Sequence, residues 1–262
     1  MKKSVEPANT VINPIMVPDV IENITLEQAG DVTDKKVRKP RVKALPLAKY
    51  YNIENRFEIG IDEAGRGPLF GRVYVAAAIL PKDDSFRHEE MKDSKKFTSK
   101  KKIAELSEYI KANSIAYSIQ YIEHDEIDRI NILQATLKAM HMCVRDCMQK
   151  MGGRPDDYYL LVDGNQFKPY MQYDDVTGEM SCVRHEMVEG GDNKYTTIAA
   201  ASILAKVARD TYIADLCLHR PELVTRYGLD TNMGYGTKKH LDGIREFGRV
   251  EGHRVTFAAG KP

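Results

Sequence analysis

Two short apolar segments of this chain each end in acidic residues and a glycine turn, and this arrangement limits the folds available to it. The first segment, 57–61, leads into Asp62 and Glu63, and the second, 158–162, leads into Asp163. Short apolar segments bounded by turn residues are typical of buried strands. Acidic side chains at strand ends face the crevice where α/β sheets bind ligands. We therefore predict an α/β fold with an acidic site at one edge of its sheet.

The spacing of apolar residues predicts five strands and several helices. Alternating or short apolar segments indicate strands at 57–61, 73–80, 114–122 and 158–162, with a further candidate at 183–188. Thr98 or Ser99 can cap a helix, and an apolar stripe from 127 to 148 predicts one long amphipathic helix. After residue 191 the sequence is mostly helical in pattern. This order of elements predicts an α/β domain with a helical C-terminal region.

The overall charge of the chain does not mark a nucleic-acid binder. Its 262 residues include 39 basic and 38 acidic side chains, for a net charge of +1, so any basic surface must be local. The four cysteines form no C-x-x-C pair and indicate no disulfide framework. No apolar segment approaches the ~20 residues that a membrane span needs, and the N-terminus lacks the pattern of a secretory signal. We therefore expect a cytoplasmic protein.

Residues 1–54 differ from the rest of the chain and predict a flexible basic extension. They show no clear period, and the stretch 35–49 contains seven Lys or Arg residues with no Asp or Glu. Both a solvated tail and a nucleic-acid tether are compatible with such a stretch. We expect the main domain to occupy 55–215 and a C-terminal region to follow over 216–262.

Four acidic side chains at predicted turns are candidates for a metal site: Asp62, Glu63, Asp163 and Asp192. Each one alone is equally compatible with a turn or a helix cap, for which Asp is well suited. Brought together, carboxylates repel one another unless a cation compensates. Because no Cys or His accompanies them, the ligand set favours Mg²⁺ or Mn²⁺ over Zn²⁺. Two such ions about 4 Å apart can activate a water and stabilise the leaving oxygen in phosphodiester hydrolysis.

The adjacency of Asp62 and Glu63 raises a geometrical difficulty. Neighbouring residues of a regular strand point to opposite faces, so both carboxylates cannot reach one ion from an ideal strand. Either the chain bends at the turn that begins at Gly65, or a backbone carbonyl replaces one of the two side chains.

Residues close to the four acids in the sequence are candidates for substrate contacts. The tight turn Gly65-Arg66-Gly67 could touch a sugar 2′-OH, although turns of this composition are common. Lys95 and Lys194 could meet phosphates, or could belong to a solvated face. Tyr235 lies between two glycines and could stack on a sugar or base, or could fill a domain interface.

The order of these motifs resembles the ribonuclease H type 2 (ribonuclease HII) family. The similarity extends from about residue 56 to 258 and depends on motifs at 60–69, 93–96, 162–165, 190–194, 199–210, 234–237 and 253–254. The resemblance implies a ribonuclease H-like fold, in which helices flank a mixed five-stranded sheet and a helical C-terminal region follows. It also implies an endoribonuclease that hydrolyses the RNA strand of RNA–DNA hybrids and incises DNA at embedded ribonucleotides.

The same resemblance implies roles for the candidate residues. The four acidic residues would bind the metal ions of a two-metal mechanism that leaves 3′-hydroxyl and 5′-phosphate ends. In the family, the turn matching Gly65-Arg66-Gly67 contacts the ribonucleotide, and the tyrosine matching Tyr235 stacks on the sugar of the following deoxynucleotide. The region 216–262 would then complete the substrate site of a catalytic domain that spans 55–215.

The chain departs from the family pattern in its spacing. Asp163 and Asp192 are 29 positions apart (192 − 163), which predicts an insertion around 170–181. Asp192 is preferred to Asp210 as the fourth ligand for its G-G-D-x-K context, and Asp210 can instead pair with Lys206 four residues earlier. An inactive nucleic-acid-binding subunit, or another nuclease on the same fold, is the alternative function. We expect a monomer, and a clamp or polymerase partner stays open.

Overall fold

The computed structural model describes residues 46–257, and seven strands lie within this range. They are β1 (Phe57–Ala64), β2 (Val73–Ile79), β3 (Ala116–Ile122), β4 (Tyr158–Asp163), β5 (Met171–Asp174), β6 (Glu179–Cys182) and β7 (Arg184–Val188). Five of them form one mixed sheet in the order β3-β2-β1-β4-β7. β1 pairs antiparallel with β2 and parallel with β4, and β4 pairs parallel with β7. The predicted mixed five-stranded sheet, including the candidate strand at 183–188, is confirmed.

Seven α-helices accompany the strands in the described range. They are α1 (Lys100–Asn113), α2 (His124–Ile130), α3 (Ile132–Met151), α4 (Thr196–His219), α5 (Glu222–Tyr227), α6 (Leu229–Asn232) and α7 (Lys238–Phe247). α3 covers one face of the sheet, where Ile59 and Ile61 of β1 point into a large apolar core. α4 covers the other face with its patch of small residues, which packs on Ala76 and Ala78 of β2.

The single long helix predicted from the stripe 127–148 is wrong, because the structure divides it at Asn131. Asn131 has a positive φ of 66°, a conformation that Asn tolerates better than most residues. Its side chain accepts a hydrogen bond from the amide of Gln134 (3.1 Å) and so caps the N-terminus of α3. Because α2 and α3 keep one continuous apolar face, the spacing of apolar residues does not reveal the break between the two helices.

Residues 46–54, which the sequence assigns to the N-terminal extension, pack on the folded unit. Ala48 makes two backbone hydrogen bonds with the segment that leads into α4 (2.8 and 2.9 Å). The ring of Tyr51 stacks on a tyrosine of β4 with centroids 5.2 Å apart, and Glu58 accepts from two amides of this segment at 2.8 Å each. These contacts are made through the backbone and through single rings, so they produce no apolar period. Residues 1–45 lie outside the described range.

The wide spacing between Asp163 and Asp192 arises from an added hairpin. β5 and β6 pair only with each other, from Met171 opposite Cys182 to Asp174 opposite Glu179. The hairpin coincides with the insertion predicted around 170–181, and it separates β4 from β7 along the chain without joining the main sheet.

The C-terminal helices enclose a small core of their own, centred on Phe70, Tyr227 and Leu229. Two buried histidines lie beside it, with His240 Nε2 and His253 Nε2 at 3.1 Å. The amide of Val250 is 3.0 Å from His253 Nδ1, and His240 Nδ1 is 3.0 Å from the carbonyl of Tyr235. His253 Nδ1 is also 2.9 Å from the Val250 carbonyl. With both rings neutral, His253 can donate to His240, His240 can donate to the Tyr235 carbonyl, and the Val250 amide can donate to His253. No helix within residues 46–257 is both long and apolar enough to cross a membrane.

We predict that this histidine pair makes the protein less stable in acid. Burial lowers the pKa of His253 to about 4, and the positive charges of His240, Arg249 and Arg220 act in the same direction. The stabilisation is complete above the unfolded pKa of about 6.5, and it is lost as pH falls toward 4. Between these limits the free energy of unfolding should fall by up to about 3 kcal/mol.

Urea denaturation of the protein and of His253→Gln over this pH range checks the prediction. The variant should be less stable at pH 7 but should show a flatter pH dependence. Equal slopes for the two proteins would show that the pair is not responsible.

Candidate active site

The carboxyl ends of β1 and β4 bring the first two acidic positions to one edge of the sheet. Ile61 and Val162 are paired in the parallel register of these strands, so Asp62 and Asp163, which follow them, lie side by side. Asp62 is buried with 5% of its surface exposed, whereas Asp163 is half-buried. The prediction that these two acids meet at a sheet edge agrees with this geometry.

Asp62 points toward α4, where the Ser202 hydroxyl stabilises its charged form. The Ser202 hydroxyl is in turn 2.9 Å from that of Ser94, and the Asp62 carboxylate accepts a hydrogen bond from the amide of Glu63 (2.7 Å). Burial raises the pKa of Asp62 well above its usual range, and the negative charges of Glu63 and Asp163 raise it further. A group with this environment gains stability when a cation binds beside it.

Gly60 lets α4 approach β1 closely enough for this contact. A Cβ atom at Gly60 would overlap the backbone of Thr197, with the amide nitrogen of Ile198 only 2.5 Å away. No larger residue fits here without moving the helix, because the obstacle is backbone rather than a flexible side chain. The first turn of α4, and the segment before it, are therefore positioned directly by β1.

Asp192 reaches the same edge through a turn that is tied to Asp163. The amide of Gly191 donates to Asp163 Oδ1 at 2.6 Å, and Gly190 has a φ of 62°, which favours glycine. Asp192 is buried (5% exposed) in the short 3₁₀ turn Gly191–Asn193. Burial raises its pKa, and the charges of Asp93 and Asp163 add to the effect. The third predicted acidic position thus joins the first two.

Lys95 is the cation that faces this group of acids. Burial alone would lower the pKa of its ammonium, but four carboxylates outweigh burial and raise it: Asp93, Asp192, Asp62 and Asp163. Asp93 also caps the 3₁₀ turn Ser94–Lys96 by accepting from the amide of Lys95 (2.9 Å). Lys95 therefore offsets negative charge at the edge while its ammonium stays accessible to solvent.

Glu63 and Asp62 point to opposite faces of β1, as expected for neighbouring residues of a regular strand. β1 continues without a break to Ala64, so the chain does not bend before Gly65. Burial raises the pKa of Glu63, while Arg66, 3.4 Å away, opposes the effect and Asp163 adds to it. The Glu63 carboxylate is therefore close to Asp163 although its Cβ faces away from Asp62.

The four acids fit a divalent cation, but they are not a ready-made cage. Across residues 46–257 no three Asp, Glu, His or Cys side chains converge tightly enough to coordinate a metal by themselves. All the donors are carboxylate oxygens, which suit hard divalent cations. The charges of Glu63 and Asp163 both act on Asp62, and the charge of Asp163 also acts on Glu63. A bound divalent cation would relieve their mutual repulsion.

A cleft of about 390 Å³ opens beside Glu63 and contains the predicted substrate contacts. The turn Gly65-Arg66-Gly67 and Lys95 line it, together with Tyr235. The Tyr235 ring is 49% exposed, and its edge is 3.5 Å from the position of a Cβ on Gly67. The turn and the aromatic ring, 168 residues apart in sequence (235 − 67), thus form neighbouring walls of one cleft.

Two basic residues behave differently from Lys95. Lys194 is exposed, and Lys95 rather than Lys194 is among the largest influences on the pKa of Asp192. Its carbonyl, rather than its ammonium, makes a defined contact, with the amide of Ala48 (2.8 Å). Lys206 forms the expected ion pair with Asp210 (2.8 Å) on α4.

The sequence-based prediction missed Arg209, which lies between the turn and Tyr235. Arg209 is buried (3% exposed), and its guanidinium fills the space beside Gly65. It donates to the carbonyl of Met233 at 2.6 Å and lies 5.7 Å from the centre of the Tyr235 ring. Its Nε has no hydrogen-bond partner within the described part of the chain. The small-residue motif at 199–210 contains Arg209, but nothing in its spacing separates a buried arginine from an exposed one.

Solved structures with the same architecture define the fold class. The ribonuclease H2 of Pyrococcus horikoshii superposes with a TM-score of 0.59 at 20% identity, over 78% of this chain and 94% of that one. The RNase HII of Archaeoglobus fulgidus, solved in a complex with PCNA, gives 0.57 at 23% identity, over 79% and 97%. Bst-RNase HIII, solved in complex with Mn²⁺, gives 0.54 at 16% identity, over 84% and 71%. The fold is therefore ribonuclease H-like.

Sequence similarity places the chain in a particular family. The family profile described as Ribonuclease HII matches residues 59–259. A Ribonuclease HII of Parabacteroides distasonis is 42% identical over 207 residues, which cover 79% of this chain and 92% of that protein. Another, from Bacteroides thetaiotaomicron, is 43% identical over 211 residues, which cover 80% and 94%. The chain belongs to the ribonuclease HII family, and it is a ribonuclease H: a divalent-metal-dependent phosphodiester hydrolase that acts on nucleic acid.

We predict that Gly60→Ala is strongly destabilising, because the added carbon would separate α4 from β1. Overpacking a core costs about 1–3 kcal/mol, and a clash with backbone lies at the upper end or beyond. Gly178→Ala is the control, since its Cβ would meet only a tyrosine hydroxyl at 3.7 Å although its φ is positive. Strain of that kind alone costs about 1 kcal/mol. Urea denaturation of both variants checks the prediction, and equal losses would show that α4 can shift freely.

Proposed function

We propose that this ribonuclease H cuts the RNA strand of RNA–DNA hybrids and also incises duplex DNA beside a single embedded ribonucleotide. The observation that supports this proposal most is the cleft in which the turn Gly65-Arg66-Gly67 and the exposed ring of Tyr235 lie side by side, next to Glu63. A narrow turn can approach a ribose 2′-OH. An exposed ring beside that turn, with its edge 3.5 Å from where a Cβ on Gly67 would lie, can then stack on the neighbouring sugar.

In this proposal Asp62, Glu63, Asp163 and Asp192 hold Mg²⁺ or Mn²⁺ through their carboxylate oxygens. The bound ions would supply Lewis acidity at the scissile phosphate and an activated water. The raised pKa values of Asp62, Glu63 and Asp192 support this assignment, since burial and mutual repulsion favour a bound cation there. Ser202 orients Asp62 from α4, and the amide of Gly191 orients Asp163 (2.6 Å).

The reaction is a hydrolysis at phosphorus. A water oxygen forms a bond to phosphorus, the bond from phosphorus to the 3′ oxygen breaks, and that oxygen takes up a proton. The products are a 3′-hydroxyl and a 5′-phosphate. Lys95, whose ammonium faces the acids, neutralises charge beside the phosphate and adds sequence-independent affinity for the backbone.

Lys194 has a different position in the proposal. Because its side chain is exposed and is not among the largest influences on Asp192, we assign it to a phosphate farther along the duplex. We further propose that the protein acts as a cytoplasmic monomer. The PCNA complex belongs to the Archaeoglobus fulgidus protein, and a clamp partner for this chain stays open.

The first prediction of this proposal concerns the junction substrate. With Mg²⁺ or Mn²⁺ the protein should incise duplex DNA that carries one ribonucleotide, and Asp163→Asn should abolish incision while hybrid binding is kept. Asp175→Asn is the matched control, because it removes the same charge from an exposed position in the β5–β6 turn. Product analysis on denaturing gels measures cleavage, and filter binding measures affinity. Equal activity on single-stranded RNA, or cleavage by Asp163→Asn, would contradict the proposal.

The second prediction separates stacking from hydrogen bonding at Tyr235. Stacking on an aromatic ring contributes about 1–3 kcal/mol, which is roughly 5- to 150-fold in rate or affinity. Tyr235→Ala should lose about this factor on the single-ribonucleotide duplex and less on a long hybrid. Tyr235→Phe, which keeps the ring and lacks the hydroxyl, should stay close to the parent protein. Steady-state kinetics on both substrates checks this, and equal losses on the two would remove the stacking role.

A further inference from the structure

The buried arginine of the His253-Arg254 motif binds the turn from behind. Arg254 is 1% exposed. Its Nε donates to the carbonyl of Gly71 (2.8 Å), and its Nη2 donates to that of Gly65 (2.7 Å). Its Nη1 donates to the carbonyls of Arg66 (3.0 Å) and Pro68 (2.9 Å). One guanidinium therefore binds four carbonyls of a seven-residue stretch (65–71).

Arg254 has no direct ion pair within residues 46–257, although the charge of Asp128 acts on it in the favourable direction. Burial lowers the pKa of Arg254 to about 9, and the nearby charge of Arg209 contributes, yet the group remains protonated at neutral pH. Burying a cation without a direct partner is costly, and its hydrogen bonds to the carbonyls offset this cost. The planar fork of a guanidinium offers five donors in fixed directions, and here the carbonyl oxygens of the turn occupy those directions.

The carbonyl directions determine where the amides of the turn point. In a planar trans peptide the N–H points opposite to the C=O of the same unit. The carbonyls of Gly65 and Arg66 face Arg254, so the N–H groups of Arg66 and Gly67 point away from it. Neither N–H has an acceptor in the described part of the chain. The carbonyl of Pro68 also faces Arg254, and the next amide, that of Leu69, donates to the carbonyl of Gly234 (2.8 Å).

The segment that carries Arg254 also fixes the position of Tyr235. The amide of Arg254 donates to the carbonyl of Leu69 (2.8 Å). The neighbouring His253 contacts His240, whose other nitrogen donates to the carbonyl of Tyr235 (3.1 and 3.0 Å). One short C-terminal segment thus holds both walls of the cleft.

We infer that Arg254 is a positioning residue for ribose recognition: it holds the turn so that the N–H groups of Arg66 and Gly67 are presented to the 2′-OH of the RNA strand. This inference rests on the proposed function and adds a determinant of its specificity. Arg254 does not touch substrate. It acts through the backbone of the turn, so its loss should reduce discrimination between ribose and deoxyribose more than it reduces the hydrolytic step.

The test uses Arg254→Lys, which keeps the charge but lacks the planar fork, and Arg254→Gln, which keeps an amide donor without the charge. Arg249→Lys is the matched control. Arg249 also donates to two backbone carbonyls, those of Val255 and Phe257 (3.2 Å each), but its side chain is exposed. Each variant is made in the full chain, alone and combined with Asp163→Asn. The double variants give the ratio of affinities for duplexes with and without one ribonucleotide, and the single variants give kcat and KM.

Arg254→Lys should lower at least tenfold the ratio of affinities for duplexes with and without one ribonucleotide. It should reduce activity on the single-ribonucleotide duplex more than activity on a long hybrid. The dependence of its activity on the divalent metal should be unchanged. Arg249→Lys should keep the ratio. A folded Arg254→Lys protein that keeps the ratio, or loses both activities equally, would overturn the inference. If Arg254→Lys does not fold, Arg254→Gln is compared with and without added guanidinium chloride at millimolar concentration, and an unaltered ratio again overturns it. A parent protein that fails to incise the single-ribonucleotide duplex would instead refute the proposed function.

Discussion

The close packing of α4 on β1 is the contact on which the rest of the site depends. Gly60 removes the side chain that would otherwise separate the helix from the strand, and Ser202 of α4 can then stabilise the charge of Asp62. The same approach fixes the segment just before α4, where the amide of Gly191 binds Asp163 at 2.6 Å. Three acids from distant parts of the sequence are thereby forced into mutual repulsion. The fold provides the free energy for this unfavourable arrangement, and a bound cation would recover it.

The wall of the cleft formed by the turn and Tyr235 is held in place by a different part of the chain from the acids. The acids are positioned from the sheet and α4, whereas the turn after β1 and the ring of Tyr235 are held from the C-terminal segment through Arg254 and His240. Arg209 fills the space between the two walls without a full set of hydrogen-bond partners. In the proposed function, cleavage and choice of substrate therefore depend on different parts of the chain, although they meet in one cleft.

The sequence was sufficient for the sheet and for the acidic edge, because strand ends and glycine turns leave local patterns. It was insufficient where position depends on contacts between distant residues. The sequence offers both Lys95 and Lys194 as phosphate contacts, and the structure surrounds the Lys95 ammonium with the charges of four carboxylates. Residues 46–54 lack a period because they are held by backbone bonds and single rings. Arg254 is one arginine among many in the sequence, and its burial follows from the tertiary path of residues 65–71.

The β5–β6 hairpin has a consequence for how this enzyme can vary. It lies between Asp163 and Asp192 in the chain, but β5 and β6 pair only with each other, while β4 and β7 are joined directly by their own ladder, in which Asp163 lies opposite Val188. The length of the connection is thus uncoupled from the separation of the two acids. The hairpin tip is a position where evolution, or an engineer, can graft a peptide or a fluorophore while the chemistry beneath keeps its dimensions.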